Sequence, residues 1–484
     1  MADNLYAGAS IQVYPGGEAT LSTPHSDVGG FLAYVSQFNS INFHAKDDDV
    51  REWRWNAEYD NWQDRLGIDS VKVFYHHGHM GMASDGRWVA GMGRTWDNTL
   101  QASSDRMSFG DQRLRYLLMH GCDSLQMHFG QNPFRSWAAS NKGARMIFGF
   151  DGLTYDLDGT GAGFFREWNT GKSFSQSWQD AALATTRNHR PASTACGATA
   201  EEAQDRLWHE RLFDGHAVSD NWYWWRWAGP APIEVDLTIT VPRAPLHLML
   251  ARRPADSGAA ARLAERYDLR PYVTEPASPD TSHPGREVPS GRRLVLLPDG
   301  SYQVFLAEPD RAARSLEAEE VRQQADRAVR DLGLDLELAF DGLTATRHGG
   351  ASRGGEESDM TIGDFTAYYR QVHEGVPMVR GGDGHVAVTL DAAGTVCSFT
   401  DRSVSITDTY EARPGGPDVD VVGALADATD AVRRSVGTGE VTVVPDSLDV
   451  GYRVSVDSGV TVARQDVEIT TGDYAIRKII EVVL

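Results

Sequence analysis

Two apolar runs along the chain stop abruptly at small and polar residues. The first, residues 71–75, is followed by the letters HHGH, and the second, residues 114–119, by HGCDS. A short apolar run that ends in glycine and polar residues is typical of a buried strand entering a turn. In an open α/β sheet, such strand ends present the reactive side chains. The two runs are about equally long, so we expect their last side chains to emerge at the same sheet edge.

Hydrophobic periodicity also predicts the other elements of the first half. A third apolar run ends at Asp151, and residues 81–110, rich in Gly, Ser, Asp and Trp, predict a long excursion of the kind that is often functional. The predicted elements are a helix entering a strand over 28–43, strands over 71–76, 111–120 and 144–150, and helices over 173–187 and 198–213.

The composition changes near residue 230. All 13 tryptophans lie between Trp53 and Trp227. We therefore expect an α/β domain over 1–230, an α+β module with a linker over 231–292, and an α+β region over 293–484. The elements predicted in this half are strands over 233–241, 293–297, 302–306, 366–372 and 385–390, helices over 258–267, 318–332 and 421–436, and a linker over 274–292.

Charge and composition narrow the class of protein. The net charge of −22 over 484 residues argues against a protein that binds nucleic acid through a basic face. No segment reaches the roughly 18 apolar residues of a membrane span, and we expect neither a membrane anchor nor a secretory signal. Three widely spaced cysteines predict no disulfide framework and no zinc site of cysteine pairs. The simplest compartment is the cytoplasm, where a thiol nucleophile survives.

The strand ends supply a candidate thiol catalyst. A thiol with a pKa near 8.5 is mostly protonated at neutral pH, and a neighbouring imidazole can activate it. Cys122 is therefore the candidate nucleophile and His77 the candidate acid/base. Gly121 permits a tight turn, and backbone N–H groups at Gly78 and Cys122 could face a developing oxyanion. Three further histidines crowd this edge, at positions 76, 79 and 120, and His79 is the rival base.

These motifs resemble those of a clan of cysteine peptidases. An apolar strand ending in His-Gly, followed by one ending in a small residue and Cys, resembles caspases, metacaspases, legumain, gingipains, separase and clostripain. The resemblance covers about residues 25–190. The same three strands are also similar to those of an uncharacterised bacterial family. It implies a caspase-like open sheet with flanking helices and peptide or protein substrates. It further implies an acyl-enzyme at Cys122, with ligation or cyclisation as variants of hydrolysis.

Two acidic features near this domain have alternative interpretations. Asp151 could recognise a basic substrate side chain, or cap the next element. Residues 156–167 (DLDGTGAGFFRE) nearly match a calcium loop, with acidic residues at its first, third and twelfth positions. Helices are not convincing on either side of it, and a glycine-rich turn is the simpler interpretation. We expect no resident metal or other cofactor, with calcium as the possible exception.

The C-terminal region carries a second resemblance. Tyr369 and Gln371, the Gly375-Val376-Pro377 step and the strand after it resemble propeptide-like modules attached to some secreted metallopeptidases. That resemblance implies a fold, and a plain docking or assembly domain is the alternative role.

Several residues also have a purely structural interpretation. Cys122 alone could be a small buried hydrophobic residue, and Cys196 and Cys397 are expected to be structural. The tryptophans of residues 221–227 could line a substrate groove or pack in the core. The competing functional hypothesis is therefore a non-catalytic protein that binds a peptide or small molecule on a peptidase-like scaffold.

Overall fold

A computed structural model describes residues 5–233, 235, 245–251, 258–281, 291–312, 314–411, 420–436 and 439–484. The helices are α1 Pro24–Val35, α2 Asp60–Leu66, α3 Pro133–Trp137, α4 Thr160–Trp168, α5 Phe174–Thr185, α6 Ala200–His209, α7 Gly258–Arg266, α8 Ala318–Leu332 and α9 Val421–Ser435. Short 3₁₀ turns lie at Asp47–Asp49, Glu52–Arg54, Ala57–Tyr59, Ile68–Ser70 and Ser104–Arg106.

The strands, in chain order, are β1 Tyr6–Ser10, β2 Ile41–Lys46, β3 Val73–His77, β4 Met80–Met82, β5 Trp88–Trp96, β6 Thr99–Ser103, β7 Tyr116–His120, β8 Met146–Phe150, β9 Pro191–Gly197, β10 Trp222–Pro230, β11 Leu246–Ala251, β12 Pro271–Val273, β13 Arg293–Leu296, β14 Tyr302–Phe305, β15 Glu337–Ser352, β16 Thr361–His373, β17 Val376–Pro377, β18 His385–Asp391, β19 Val396–Asp401, β20 Ser405–Glu411, β21 Glu440–Val443, β22 Asp449–Val454, β23 Ser458–Thr471 and β24 Tyr474–Val483.

Five parallel strands form one end of the main sheet, in the order β2-β1-β3-β7-β8. Their burial on both faces explains why β3, β7 and β8 are nearly continuous apolar runs. The register aligns Ser10 with His77, and His77 with His120. The last residues of β1, β3 and β7 therefore meet at one carboxyl edge. The sequence predicts this shared edge for β3 and β7, but it does not predict β1.

The main sheet continues beyond the parallel strands. β9 pairs antiparallel to β8, then β10 to β9 and β15 to β10, and the order runs on through β16, β18, β19, β14, β13 and β12. The prediction of an α/β fold is confirmed, in the form of one large mixed sheet with helices. The compositional change at residue 230 coincides with no break in the sheet, because β10 pairs with β15 along its whole length.

Both faces of the parallel strands are covered. Helices α1, α4 and α5 cover one face, with Phe31, Phe164 and Trp178 in its core. Trp55 and Trp88 lie in the core of the opposite face. The prediction of a long loop over residues 81–110 was wrong, because most of this segment forms the three-stranded sheet β4-β5-β6.

A second sheet forms from the C-terminal part of the chain. β20, β11, β23 and β21 pair in that order, and β22 and β24 also pair with β23. Helix α9 packs against β23 and β24. Most of the predicted strand over 233–241 and part of the predicted linker over 274–292 lie outside the described residues. No helix in the described part of the chain is both long and apolar enough to span a membrane.

Candidate active site

The carboxyl edge of the parallel strands gathers a buried acid and two histidines. Asp27 lies in the first turn of α1, which follows β1 and returns along the sheet. Its Oδ2 atom lies 3.1 Å from Nδ1 of His77 and 3.0 Å from Nδ1 of His120. The Tyr75 hydroxyl also donates to Oδ2, and the Gly161 N–H donates to Oδ1 at 2.8 Å. We call Asp27, His77 and His120 the strand-end cluster.

The strand-end cluster fixes the orientation of its imidazoles. Both Nδ1 atoms face an acceptor oxygen, so each ring carries a proton there, and Nε2 of His77 is the ring atom left to act as a base. The rings of His77 and His120 stack with centroids 3.9 Å apart. A carboxylate that holds Nδ1–H while Nε2 acts as base is the orienting arrangement of nucleophile–base catalysts.

Burial and hydrogen bonding have opposite effects on the pKa of Asp27. Burial would raise the pKa of the Asp27 carboxyl, but hydrogen bonds from His120 and His77 bring it far below its usual value. Burial lowers the pKa of His120, assisted by the charge of His77. Asp27 therefore stays ionised across the physiological range, and His120 stays mostly neutral.

Within the described residues, the strand-end cluster is the group whose ligand atoms lie close enough together to hold a metal ion. One ligand atom from each of Asp27, His77 and His120 lies within 4.8 Å of the others. Two histidines and a carboxylate can hold zinc or iron. The same Nδ1 and Oδ2 atoms already share protons in hydrogen bonds, however, and Asp27 also accepts from Tyr75 and Gly161. These contacts fit a hydrogen-bonded network.

Cys122 lies two residues beyond β7, with its side chain buried. Its Sγ accepts from the Thr154 N–H at 3.2 Å and lies 3.4 Å from the Thr154 hydroxyl and 3.0 Å from the Ala475 carbonyl oxygen. Among the described residues, no imidazole hydrogen-bonds to Sγ. Burial raises the pKa of the Cys122 thiol to about 11, so it is protonated in this arrangement.

Strand β24 covers Cys122 from the C-terminal sheet. The Arg477 N–H donates to the Thr154 carbonyl at 2.9 Å, and the Asp156 N–H donates to the Arg477 carbonyl at 2.9 Å. Lys478 Nζ lies 2.9 Å from the buried Asp156 carboxylate. The loop after β8 therefore pairs with β24 through its backbone, as a sheet edge pairs with an extended peptide.

Two glycines allow the strand ends to approach each other. A Cβ atom at Gly121 would lie 2.6 Å from the Gly78 carbonyl oxygen and 2.5 Å from Met80 Cγ. The Gly78 N–H donates to the His120 carbonyl at 3.2 Å. Gly121 is therefore required by close backbone packing, and the Gly78 N–H, expected to serve an oxyanion, is occupied within the sheet.

The remaining predicted residues of this edge have structural partners. Asp151 is buried and accepts from the Met127 N–H and from His128, both at 2.8 Å, so it holds the turn after Cys122. His76 points to the opposite face and packs against Trp55. The rival base, His79, binds the Ala19 carbonyl at 2.7 Å.

The calcium motif does not form a loop. Thr160–Trp168 is helix α4, which takes up the second half of residues 156–167. Asp156 accepts from Ser22 and Thr23, and Glu167 pairs with Lys172 and Arg402. The carboxylates at the two ends of the motif thus have separate partners and do not converge on one cation. The possible calcium site is not formed here.

A second polar relay borders the cluster and could not be predicted from sequence spacing. Ser10 Oγ lies 2.7 Å from His25 Nδ1 and 2.8 Å from His44 Nε2, and His25 Nε2 lies 2.9 Å from Asp47 Oδ2. Burial lowers the pKa of His44 to about 4, so it stays neutral. Ser10 is fully buried between them, which makes the relay a support for the edge.

The other cysteines and the tryptophans of β10 lie outside the strand-end cluster, and Trp227 packs against His128 with ring centroids 5.3 Å apart. Cys196 and Cys397 are buried, and burial raises the pKa of each thiol to about 12. Trp225 and Trp227 are in the core, and Trp222 and Trp224 are half-buried. This distribution agrees with the interpretation of core plus surface.

The fold and the site define an α/β protein whose parallel strands end in a buried Asp–His–His cluster beside a cysteine. Residues 10–229 match the model of a family described as a domain of unknown function, DUF6345. That match runs from the last residue of β1 to Gly229 in β10, and it contains every residue of the strand-end cluster and Cys122. The search among curated proteins gives no match for this chain.

Proposed function

We propose that the protein is a cysteine peptidase with a caspase-like catalytic region, in which Cys122 is the nucleophile and His77 the acid/base. One observation carries the proposal. His77, oriented by a buried carboxylate, and Gly121-Cys122 follow adjacent parallel strands in register at one sheet edge. The resemblance to caspases and related peptidases rests on these same strand ends. Peptides are the substrates, and the cytoplasm is the proposed compartment because the three cysteines are free thiols.

The chemistry assigned to these residues is acyl transfer. Nε2 of His77 takes the thiol proton as Sγ of Cys122 bonds to the carbonyl carbon of a peptide. The proton passes to the leaving amine as the C–N bond breaks, which leaves an acyl-enzyme. Water, deprotonated by the same imidazole, then bonds to the acyl carbon; the C–S bond breaks, the acid leaves and the imidazole returns the proton to Sγ. An amine in place of water gives ligation. Asp27 keeps the His77 ring in place and stabilises its charged form.

The covered thiol fits a latent state of this enzyme. β24 places the Ala475 carbonyl 3.0 Å from Sγ and pairs its backbone with residues 154–156. A peptide substrate would need that same edge for main-chain hydrogen bonds. We propose that β24 occupies the path of the substrate and that the C-terminal sheet must shift before Sγ reaches His77. Removal of this cover would also lower the thiol pKa, because burial is its main cause.

The buried, protonated thiol equally favours the second candidate function. A protein that binds a peptide through the edge at residues 154–156 needs no thiolate. In that case the strand-end cluster is a structural network and Cys122 packs as a small apolar side chain. Products that depend on Cys122 separate the two functions.

The experiment uses the full chain and a diverse peptide library, read by mass spectrometry. Wild type, Cys122→Ala, Lys478→Glu and Arg453→Glu are compared. In Lys478→Glu the new carboxylate faces the carboxylate of Asp156 and should weaken the contact of β24 there. In Arg453→Glu a new carboxylate faces Glu481, near the other end of β24, so this variant is the control for repulsion away from Cys122. We expect cleavage that requires Cys122 and rises in Lys478→Glu, but not in Arg453→Glu. If none of the three proteins that retain Cys122 gives a product that is missing from Cys122→Ala, the peptidase is rejected and the binding function remains.

A further inference from the structure

A cavity of about 360 Å³ lies away from the strand-end cluster, over the middle of the main sheet. Helices α5 and α6 border it on one side, and residues of β10, β16, β18 and β19 form its floor. Its volume is within the range of small-molecule sites. Exposed residues, among them Ala307 and Glu308, lie at its rim, so the cavity opens to solvent.

The lining is cationic, although the chain as a whole is acidic. Among the described residues that line it, seven are lysine or arginine and four are aspartate or glutamate. Two of the four acids are already paired, because Glu167 contacts Lys172 and Arg402, and Asp180 contacts Lys172 at 2.8 Å. The surplus positive charge therefore belongs to the remaining arginines. A concave site with one sign of charge concentrates ions of the opposite sign.

Arg226 and Arg311 flank the ring of Trp208, which helix α6 contributes to the cavity wall. Their guanidinium carbons lie 5.0 Å and 4.0 Å from the centroid of the Trp208 ring. Arg226 is only 1% exposed, and its nearest carboxylate, that of Asp364, is 3.9 Å away. Nε and Nη2 of Arg226, and Nε of Arg311, have no hydrogen-bond partner among the described residues.

A third guanidinium extends this set of donors. Arg187 lies at the end of α5, 3.7 Å from the centroid of the Tyr368 ring. Its Nη1 donates to the Leu183 carbonyl at 2.7 Å, while its Nε has no partner within the described part of the chain. Burial lowers the pKa of Arg226 to about 10 and also lowers the pKa of Arg187 and Arg311. Buried cations with free donors are costly unless an anion joins them.

We propose that this cavity, which we call the arginine cavity (Arg187, Arg226, Arg311, Asp364 and Trp208), binds a small organic oxyanion. The anionic group, a phosphate or a carboxylate, takes charge-assisted hydrogen bonds from Arg226 and Arg311, whose planar forks suit paired oxygens. The aromatic rings hold the guanidinium groups in place and leave their edges for the ligand. The assignment does not depend on the proposed peptidase activity.

Asp364 allows a substitution that should strengthen anion binding rather than weaken it. It is the carboxylate nearest to Arg226 and is itself buried, with Oδ1 lacking a hydrogen-bond partner among the described residues. It partly neutralises the site and competes with an incoming anion. Asp364→Asn keeps the shape and removes that charge, so it is expected to strengthen oxyanion binding. Arg226→Met keeps most of the volume and removes the donors, so it is expected to weaken binding.

The test measures calorimetric binding and thermal stabilisation of the full chain with pyrophosphate, citrate and chloride at equal ionic strength. We expect saturable binding of pyrophosphate or citrate, and the preferred one distinguishes phosphate from carboxylate ligands. Binding should weaken about tenfold or more in Arg226→Met and tighten in Asp364→Asn. Arg453→Met, an exposed arginine outside the cavity, is the matched control.

Each other outcome counts against the proposal. Equal affinity in wild type and Arg226→Met would place the anion elsewhere, and equal stabilisation by chloride would show general screening. If Arg226→Met does not fold, Arg311→Met replaces it: Arg311 is the second proposed donor and is only half-buried, and its loss should also weaken anion binding. No binding of either anion to the wild-type chain would overturn the assignment.

Discussion

Oδ2 of Asp27 lies 3.1 Å from Nδ1 of His77, although 50 positions separate the two residues in the sequence. If His77 is the acid/base, Asp27→Asn presents an amide N–H in place of an acceptor and favours the wrong tautomer of the imidazole. We expect the Cys122-dependent cleavage rate to fall about 10²- to 10⁴-fold. The measurement is the rate of peptide cleavage as a function of pH.

Asp69→Asn is the matched control for loss of a buried carboxylate. Asp69 accepts the backbone N–H groups of residues 110 and 112–114, away from the strand-end cluster. Both variants are expected to lose stability, but only Asp27→Asn should lose activity among the folded molecules. Equal loss of rate in the two variants would assign Asp27 a structural role alone.

Cover by β24 predicts the relative reactivity of the thiols. If Cys122 were an activated thiol as the sequence alone suggests, iodoacetamide would label it faster than Cys196 or Cys397. In the closed arrangement all three are buried and protonated, so we expect slow labelling of each in the wild-type chain. Lys478→Glu should speed the labelling of Cys122 by about tenfold, which corresponds to about 1.4 kcal/mol in the opening equilibrium.

Peptide mapping by mass spectrometry reads the three thiols separately. Arg453→Glu should leave all the rates unchanged, because Arg453 contacts β24 beyond the covered site. Faster labelling of all three thiols in Lys478→Glu would indicate general unfolding. No change at Cys122 would mean that β24 is not the cover.

The apolar runs before His76 and His120 made the parallel strands and their common edge predictable, because fully buried strands carry an apolar residue at nearly every position. Asp27 was not predictable in the same way. It lies in the sequence PHSDVGG at the start of α1, where an acid in the first turn is ordinary helix chemistry. Its role depends on where α1 packs.

The position of β24 over Cys122 could not be read from the sequence either. The contact joins residues 353 positions apart, and neither partner carries a local signal. The arginine cavity has the same origin, because β10, α6 and β16 bring its residues together from distant parts of the chain. Residue types indicate what chemistry is available, but packing over such separations decides which side chains meet.

Gly121 gives a test of close packing at the site. In Gly121→Ala the new Cβ would lie 2.6 Å from the backbone oxygen of Gly78, which cannot rotate away. We expect a loss of about 1–3 kcal/mol in the free energy of unfolding and a loss of cleavage activity. Denaturant unfolding and the peptide assay measure the two effects.

Gly29→Ala is the matched control in α1. A Cβ at Gly29 meets no atom within 4 Å, and alanine is the better helix former. We expect it to stabilise the protein by about 0.5–1 kcal/mol without a change in activity. A neutral result for Gly121→Ala would show that the strand ends can separate at little cost.

Buried neutral histidines predict early acid unfolding. Burial lowers the pKa of His76 and of His189 to about 3, below the value of about 6.5 in an unfolded chain. Between these values the unfolded state binds more protons, so stability falls as pH drops below 6.5, by up to about 1.4 kcal/mol per pH unit for each histidine. The lowered pKa of Asp27 acts separately, because its contribution to stability is present above about pH 4 and lost below it.

Urea unfolding between pH 7.5 and pH 4.5 should therefore show a decline in the free energy of unfolding. His76→Asn should reduce the slope of that decline by about 1.4 kcal/mol per pH unit, the contribution of one proton, whereas His216→Gln, at an exposed site, should leave it unchanged. A slope that is the same in His76→Asn and wild type would mean that His76 titrates alike in the folded and unfolded states.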